Sequence, residues 1–541
     1  MTTKLMAFHL TDDDGEITIC NSIGEEITSH NLPELMRFLQ FSQTGHDRGH
    51  NYTIRVVWDL DAWVAPILRK FDIQTLQMVA NHDNNARYGG DTIFYRHGKL
   101  FRTRKAYYYP IQESFPSDTP APSCVYELQE RADNLVEGLE QLGMGDFKTI
   151  ASLISIFGQT EFGQRVFAGI PRDYEIPRGL SGMLEYADQA DRKEWITNYA
   201  IGCWEDAADW DLSAAYSGEA AKLLDLRDLE YWHSDTMTKR EEGALFGFVK
   251  GRMFVDPDNP MQHTSPIMVN DGEFHGNPAG WLMPDCYSLS EVRFIEGSGL
   301  GEFIMEDGYF AKVMRNVRPR MPFEAVMKWF YDHRSVSPTC STICKGMANQ
   351  LVGKLAERLK WKLDANGEPE YGELFNIIYH SLITCATRVK VARWLLDNGV
   401  ERDQLLCVQT DGARILKDIE PSKRNGMGSW VYKGKFDTLV ASPNIILAAG
   451  KKPQHYTYNQ LIPEIQANPL GVFYGMLSPA HITLQQALQL GDISKVGELR
   501  ELPAHLDLPA VERQQNRQFA DFPKNGRQLL EGKFTSKPVI L

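Results

Sequence analysis

Apolar and polar residues alternate in FHLTDDDGEITIC (residues 8–20) on both sides of an Asp-Gly pair, which predicts two strands joined by a tight turn. TIRVVW (53–58) predicts another strand, and DLDAWVAPILRKF (59–71) changes to the spacing of a short helix. TIFYRHGKLFRTRKAYYY (92–109) predicts a second hairpin, FPSDTPAPS (115–123) is too proline-rich for an element, and YELQERADNLVEGLEQL (126–142) returns to helical period. A helical region with Gly-rich breaks then runs to about residue 200, with a soft boundary at 150–190. Farther on, PFEAVMKWFYDHR (322–334) and CSTICKGMANQLVGKLAERLKW (340–361) predict two helices joined by SVSPT. Pro322 suits a first helical turn, and Pro338 breaks the chain between the helices. FNIIYHSLITCATRVKVARWLLDNG (375–399) predicts a long helix closed by Asn-Gly. It delivers the chain into a strand, LLCVQTDGARIL (405–416), whose centre turns polar where a strand should be most apolar. The tail from about 475 mixes short helices with proline-rich loops and ends in the basic stretch KNGRQLLEGKFTSKP. No internal repeat or low-complexity tract is visible.

The 541 residues suffice for several packed layers and more than one domain, and the absence of an 18-residue apolar run argues against a membrane protein. MTTKLMAFHL lacks the pattern of a secretory signal, so a cytoplasmic protein is expected. The eight cysteines are scattered among apolar neighbours without zinc-site spacing, and reduced core residues are expected. The net charge of −14 argues weakly against a nucleic-acid partner, but its distribution changes the picture. Residues 311–360 hold ten Lys/Arg against three Asp/Glu, whereas 183–230 are acid-rich. A basic wall facing an acidic floor is the pattern expected where metal ions and polyphosphates meet, and a solvated helical face would look the same.

Three segments carry candidate chemistry. In AADWDLSAAYSGEAAKLL (207–224), Asp211 is placed at a strand end, where an Asp serves as a helix cap or as a metal ligand. In the helix 341–359, Ser341, Lys345 and Asn349 share one face while Ile343, Met347, Leu351 and Leu355 share another. Lys345 and Asn349 suit contact with a polyphosphate and its base or sugar, and an ordinary amphipathic helix also fits. Asp411 is the one acid of QTDG. Two strand-end aspartates, with a basic helix between them in sequence, could hold two divalent ions roughly 3.5 to 4 Å apart for a phosphoryl transfer.

In this order the segments resemble the family B DNA polymerases, closest to the compact protein-primed type of phages and linear plasmids. DLSAAYSG (211–218) resembles the first palm motif and KGMANQLVGK (345–354) the fingers motif of Lys, three residues, Asn, then Tyr-Gly. QTDG (409–412) resembles the second palm motif, Asp-Thr-Asp-Ser, and YAIGCWED (199–206) is similar to the Tyr-x-Gly-Gly linker. About 134 positions separate Asp211 from Lys345 and about 66 separate Lys345 from Asp411, which suits the compact members. The resemblance implies an α+β right-hand polymerase fold (palm, fingers, thumb) with an N-terminal RNase H-like exonuclease-type domain. The implied division is 1–150 exonuclease-like, 151–194 helical linker, 195–322 and 363–474 palm, 323–362 two-helix fingers, and 475–541 thumb and tail. It implies a template-directed DNA polymerase of viral, phage or plasmid replication, acting on primer-template DNA and dNTPs, with a terminal priming protein as a candidate partner.

Carried over by residue, Asp211, Asp411 and Lys345 are the catalytic set, and Asp211, Asp411 and the Leu212 carbonyl hold two Mg²⁺ ions, Mn²⁺ being tolerated. The triphosphate lies on the backbone amides after Asp211, Ser213 among them, gripped by Lys345 and Arg334. Tyr216 stacks beneath the sugar and Asn349 lines the same pocket. GKKPQHYTY (450–458) resembles the Lys-x-Tyr primer segment, which places Lys451 and Lys452, together with Thr410, on DNA. The sequence departs from the motifs at Gln409, where the first acid of the second palm motif belongs, at Val352 and at Pro453. Because the second acid is the family's metal ligand, activity is expected to survive. In the N-terminal third, His9 and Thr11 stand where Asp-x-Glu is expected, Trp63 stands where an acid belongs, and Tyr126 and Glu130 match only loosely. An exonuclease-like fold without exonuclease activity is expected, with the basic, aromatic segment 94–109 either a single-strand binding element or purely structural. The alternatives are a primer-independent or template-independent nucleotidyltransferase and a catalytically silent, DNA-binding polymerase fold.

Overall fold

Strand β1 (Lys4–Asp13) turns through Asp14 and Gly15, at φ +49° and +84°, into β2 (Glu16–Asn21), the left-handed pair that a two-residue hairpin loop requires. A computed structural model describes residues 4–507 except 42–52, 81–86, 89–90, 97–99, 104–105, 116–118, 151, 173–174, 176–179, 192–194, 201, 271–274, 364–368, 422–425, 443–444, 452–460, 462, 464–466, 468–471, 475–477, 483, 497–498 and 503–504. Strand β3 (Glu26–Ser29) extends the antiparallel edge, and β4 (Thr53–Val57) runs parallel to β1. Helix α1 (Leu60–Leu68), capped by the Asp59 carboxylate, follows β4. Strands β5 (Phe94–Arg96), β6 (Leu100–Arg102) and β7 (Tyr107–Pro110) complete a seven-stranded sheet in the order β3-β2-β1-β4-β7-β6-β5. Residues 92–109 therefore form a hairpin plus a third strand that joins β4 in parallel, where the alternation predicted a hairpin alone. Helix α2 (Val125–Gln141) packs on β1. Its Gln129 amide accepts from Ala7 N–H and donates to the Leu5 carbonyl, both at 3.0 Å, which satisfies the backbone that β2 does not reach. The arrangement is RNase H-like.

Beyond the helical stretch come β8 (Ile196–Asn198), β9 (Gly202–Leu212) and the short helix α3 (Ala215–Ala220). A five-stranded sheet follows: β10 (Leu229–Ser234), β11 (Phe246–Val255), β12 (Gly280–Trp281), β13 (Asp285–Ser288) and β14 (Gly301–Val313), with α4 (Leu289–Gly297) between the last two. Helices α5 (Glu324–Asp332) and α6 (Pro338–Lys354) are the predicted pair, except that Arg358 to Trp361, predicted as the end of the second helix, belong to a strand. Pro338 is the first residue of α6, behind a Ser337 cap, so it opens the helix where it was expected to break the chain; Pro322 lies two residues ahead of α5. Helix α7 (Ile377–Asp397) stops at Asn398 and Gly399, the latter at φ +56°, as the Asn-Gly pair predicts. The chain returns through β17, numbered after the two-stranded ribbon β15 (Arg358–Leu363) and β16 (Pro369–Tyr371). Strands β17 (Leu405–Gln409), β18 (Gly412–Ile415), β19 (Trp430–Ser442) and β20 (Ile445–Ala448) build a six-stranded sheet in the order β8-β17-β18-β9-β19-β20.

The period of two divides β9 and β18 between two faces, and a register shift between Leu405 and Cys407 interrupts it on β17. Ala208, Trp210 and Leu212 of β9, Leu405 and Val408 of β17, and Ala413 and Ile415 of β18 share one buried cluster with Val391, Ala392 and Leu395 of α7. Ala207, Asp209 and Asp211 are left for the opposite face. Of the described cysteines Cys124 is exposed, contrary to the core placement expected, Cys20 is half-buried and the rest are buried; all are free thiols. No helix among the described residues is long and apolar enough to cross a membrane. Most of 475–541, including the basic tail, lies outside the described residues.

One core group ties stability to pH. His263 is buried, its Nε2 lies 2.8 Å from the Val400 carbonyl, and burial pushes its imidazole down to about 4 from 6.5. Between pH 6.5 and 4 the unfolded chain then binds the extra proton, so stability falls with pH across that window. The full loss is about 3 kcal/mol, of which about 2 kcal/mol is gone by pH 5. In denaturant titrations at pH 7 and pH 5, His263→Gln is expected to flatten this acid limb. An unchanged limb would show that His263 does not create it.

Candidate active site

Asp211 is the penultimate residue of β9, so the strand end predicted for it is where it lies. The QTDG segment is not the centre of a strand, as its apolar flanks suggested, but the turn between β17 and β18. Thr410 adopts φ +56° and donates its N–H to the Trp195 carbonyl at 2.7 Å. The polarity of the segment is therefore that of a tight turn. Antiparallel pairing sets Asp211 opposite Gly412, and the Leu212 N–H donates to the Asp411 carbonyl at 2.9 Å. The two aspartates thus lie at one end of the sheet, Asp211 near the end of β9 and Asp411 in the turn that leads into its neighbour β18. A methyl group at Gly412 would lie 3.0 Å from the Trp210 carbonyl, so glycine there lets the turn approach the β9 backbone closely.

Downstream of Asp211 the chain is pinned. The Ser213 N–H donates to the Ser429 carbonyl at 2.9 Å and the Ser213 carbonyl accepts from Gly428 N–H at 2.5 Å. The Leu212 and Ser213 amides, predicted to start the triphosphate cradle, are thus bonded to Asp411 and Ser429. Ala214, at φ +50°, then starts α3, which carries the half-buried Tyr216. Helix α3 packs on α6, and Tyr216 lies against the core that contains Ile343, Met347 and Leu351. Lys345 and Asn349 are both exposed on α6, opposite that apolar stripe, as its spacing predicts. Arg334, in the turn ahead of α6, is half-buried, with its guanidinium 5.7 Å from the Tyr331 ring; burial, opposed by neighbouring Cys344, pulls its pKa down.

On the open face of the sheet, a cavity of about 300 Å³ is lined by Asp209, Asp211, Gln409, Arg414, Lys433 and Lys451, among others. Lys433 Nζ lies 3.2 Å from Asp211 Oδ2, and Arg414 Nε lies 4.0 Å from Asp209 Oδ1. Lys451, predicted on the primer strand, reaches this cavity with its ammonium 4.1 Å from the Phe436 ring centroid; Lys452 and Pro453 lie outside the described residues. Cys407 at the cavity is pushed up to about 11 by burial, which removes thiolate chemistry at neutral pH. The sequence alone did not single out Asp209 or Lys433. The i, i+2 relation of Asp209 to Asp211 was a legible signal for the first.

Two carboxylates and a backbone carbonyl are hard oxygen donors that fit Mg²⁺, which takes one or two protein carboxylates and completes its shell with water or phosphate. Among the described residues no group of three or more His, Cys, Asp or Glu side chains converges on a metal position.

No family model and no curated protein matches the sequence. Solved structures do. Phi29 DNA polymerase in complex with primer-template DNA and incoming nucleotide aligns at a TM-score of 0.52 with 14% identity, over 81% of this chain and 85% of that one. Its complex with primer-template DNA alone gives 0.52 at 12% identity over 80% and 85%, and its complex with single-stranded DNA gives 0.51 at 12% over the same shares. Such low identity speaks to architecture and not to chemistry. This chain has the fold of a compact family B DNA polymerase, that of phi29 DNA polymerase.

Proposed function

We propose that this chain is a template-directed DNA polymerase that adds dNTPs to a primer 3′-hydroxyl. The observation that carries the reading is the closure of Asp211 and Asp411, about 200 residues apart, onto one sheet end through the Leu212–Asp411 backbone bond. Asp211, Asp411 and the Leu212 carbonyl would hold the two Mg²⁺ ions, with Mn²⁺ tolerated, and bound ions supply charge neutralisation at the attacking and leaving oxygens. The chain's own groups bind and orient. Exposed Lys345 and half-buried Arg334 are the cations for a triphosphate, Tyr216 is the flat surface for the sugar, and Asn349 is a polar group beside it. Thr410, Lys451 and Lys452 would hold primer-template DNA, and a terminal protein is a candidate primer. On this reading the division into exonuclease-like domain, linker, palm, fingers and thumb given above stands.

The N-terminal domain is proposed to lack 3′-5′ exonuclease activity, because His9, Thr11 and Trp63 stand where acids are expected and too few carboxylates remain for two cations; the nearby acids also have structural contacts. Asp59 caps α1, Asp61 accepts the Tyr95 hydroxyl, and Asp12 lies 3.5 Å from Arg69. His9 on β1 is shifted down by burial and adds no carboxylate.

The test is extension of a primer carrying a label at its 3′-terminal nucleotide, on a template with dNTPs and Mg²⁺, beside lanes lacking primer or template. Template- and primer-dependent extension is expected, and without dNTPs the terminal label should persist. Product without primer or template would replace this reading with a primer- or template-independent nucleotidyltransferase. DNA binding without extension in Mg²⁺ or Mn²⁺ would leave a silent polymerase fold.

A further inference from the structure

Among the described residues, the lysine in contact with Asp211 is delivered there by an irregularity of the sheet. Along β9 and β19 the register runs from Asp209 opposite Gly434 to Trp210 opposite Tyr432, so Lys433 is the extra residue of a β-bulge. Gly434 beside it takes φ +117°. Bulges re-aim side chains and concentrate near active sites. Here the bulge puts an ammonium 3.2 Å from Asp211 Oδ2 in a cavity whose named charged groups are three cations, Arg414, Lys433 and Lys451, and two carboxylates, Asp209 and Asp211. Arg414 is within 4.0 Å of Asp209 and Lys451 lies over Phe436, so Lys433 is the cation at Asp211. A position that a divalent ion needs is thus held by a charge of the same sign, and the neighbouring Gln409 is neutral where an acid would offset it.

We propose that Lys433 is a tethered cation that holds Asp211 in the free protein, competes there with divalent metal, and withdraws when metal arrives with the nucleotide. The inference rests on the polymerase reading, in which Asp211 is a metal ligand. Lysine suits the task. Its ammonium is a compact, strongly hydrated point charge on a flexible stem, so it can leave a half-exposed carboxylate for solvent or phosphate at little cost. With side chains 42% and 37% exposed, the pair adds little to stability; its consequence is the lowered affinity of Asp211 for a second cation.

The experiment is Mn²⁺ binding to the full chain without DNA or nucleotide, followed by electron paramagnetic resonance of the free ion, which reads occupancy and not activity. Lys433→Met is expected to bind Mn²⁺ about tenfold more tightly than the unaltered protein, Lys433→Arg to bind as weakly as it does, and Asp211→Asn in the Lys433→Met background to lose the gain. Lys433→Gln, which keeps a polar side chain at the bulge, should reproduce the gain if Lys433→Met does not fold. Equal affinity for the unaltered protein and both neutral variants, with Asp211→Asn still weakening binding, would overturn the competition and leave the metal site standing. Indifference of every variant to Asp211→Asn would overturn the inference together with the metal-ligand role on which it rests.

Discussion

Asp411→Asn is expected to slow single-turnover primer extension by at least about a thousandfold, roughly 4 kcal/mol of transition-state stabilisation, while DNA binding and the thermal unfolding midpoint stay near those of the unaltered protein. The substitution separates chemistry from structure. Asn has the shape of Asp and is equally at home in a turn, and the contacts that place this turn are backbone ones, from Leu212 N–H to the Asp411 carbonyl and from Thr410 N–H to the Trp195 carbonyl. What is removed is the carboxylate of a residue whose backbone is bonded next to Asp211 at the sheet end, and with Gln409 already neutral the turn retains no other acid. Asp211→Asn should behave alike. Rapid-quench extension together with a gel-shift titration is the measurement, and an Asp411→Asn protein that extends at the unaltered rate would remove Asp411 from the catalytic set.

The second large effect is structural. Glu291 and Arg388 form an ion pair of 2.8 Å between side chains only 0% and 3% exposed, linking α4 to α7. The other Glu291 oxygen accepts the Ser288 N–H and hydroxyl at 3.1 and 3.0 Å in a capping box. Glu291→Ala would leave the buried Arg388 guanidinium without the Glu291 carboxylate and open the cap, so a loss of about 3 to 5 kcal/mol in denaturant titration is expected. Replacing both partners with apolar residues, Glu291→Leu with Arg388→Met, should recover most of that loss, because no buried charge then lacks its partner. A Glu291→Ala protein within about 0.5 kcal/mol of the unaltered one would show that the pair is not closed in solution. Because the next turns of α7 carry Val391, Ala392 and Leu395 beneath the sheet of Asp211 and Asp411, activity should fall with stability.

Much of this was legible along the chain where the signal is local. The Asp-Gly turn, the Asn-Gly stop of α7 and the faces of α6 follow from backbone preference and side-chain period, which act over a few residues. The candidate residues were legible as motifs in order, and motifs do not carry pairing. Gln409 to Gly412 were misplaced at the centre of a strand because their apolar flanks belong to two antiparallel strands, which a one-dimensional pattern cannot distinguish from a single long one. Pro338 was misplaced because the same residue ends one segment and starts another, and only the Ser337 cap decides which.

By itself, then, the sequence determined the type and order of the elements in which period and turn chemistry are strong, and the order of Asp211, Lys345 and Asp411. Tertiary structure alone decided that Asp211 and Asp411 share a sheet end, that the first amides after Asp211 are bonded to carbonyls of β19's approach and of Asp411, and that Lys433 lies on Asp211. The reason is physical: pairing register and bulges are set by long-range backbone hydrogen bonds and by which face can be buried, and a shift of one residue would turn every side chain of β9, Asp211 included, to the other face.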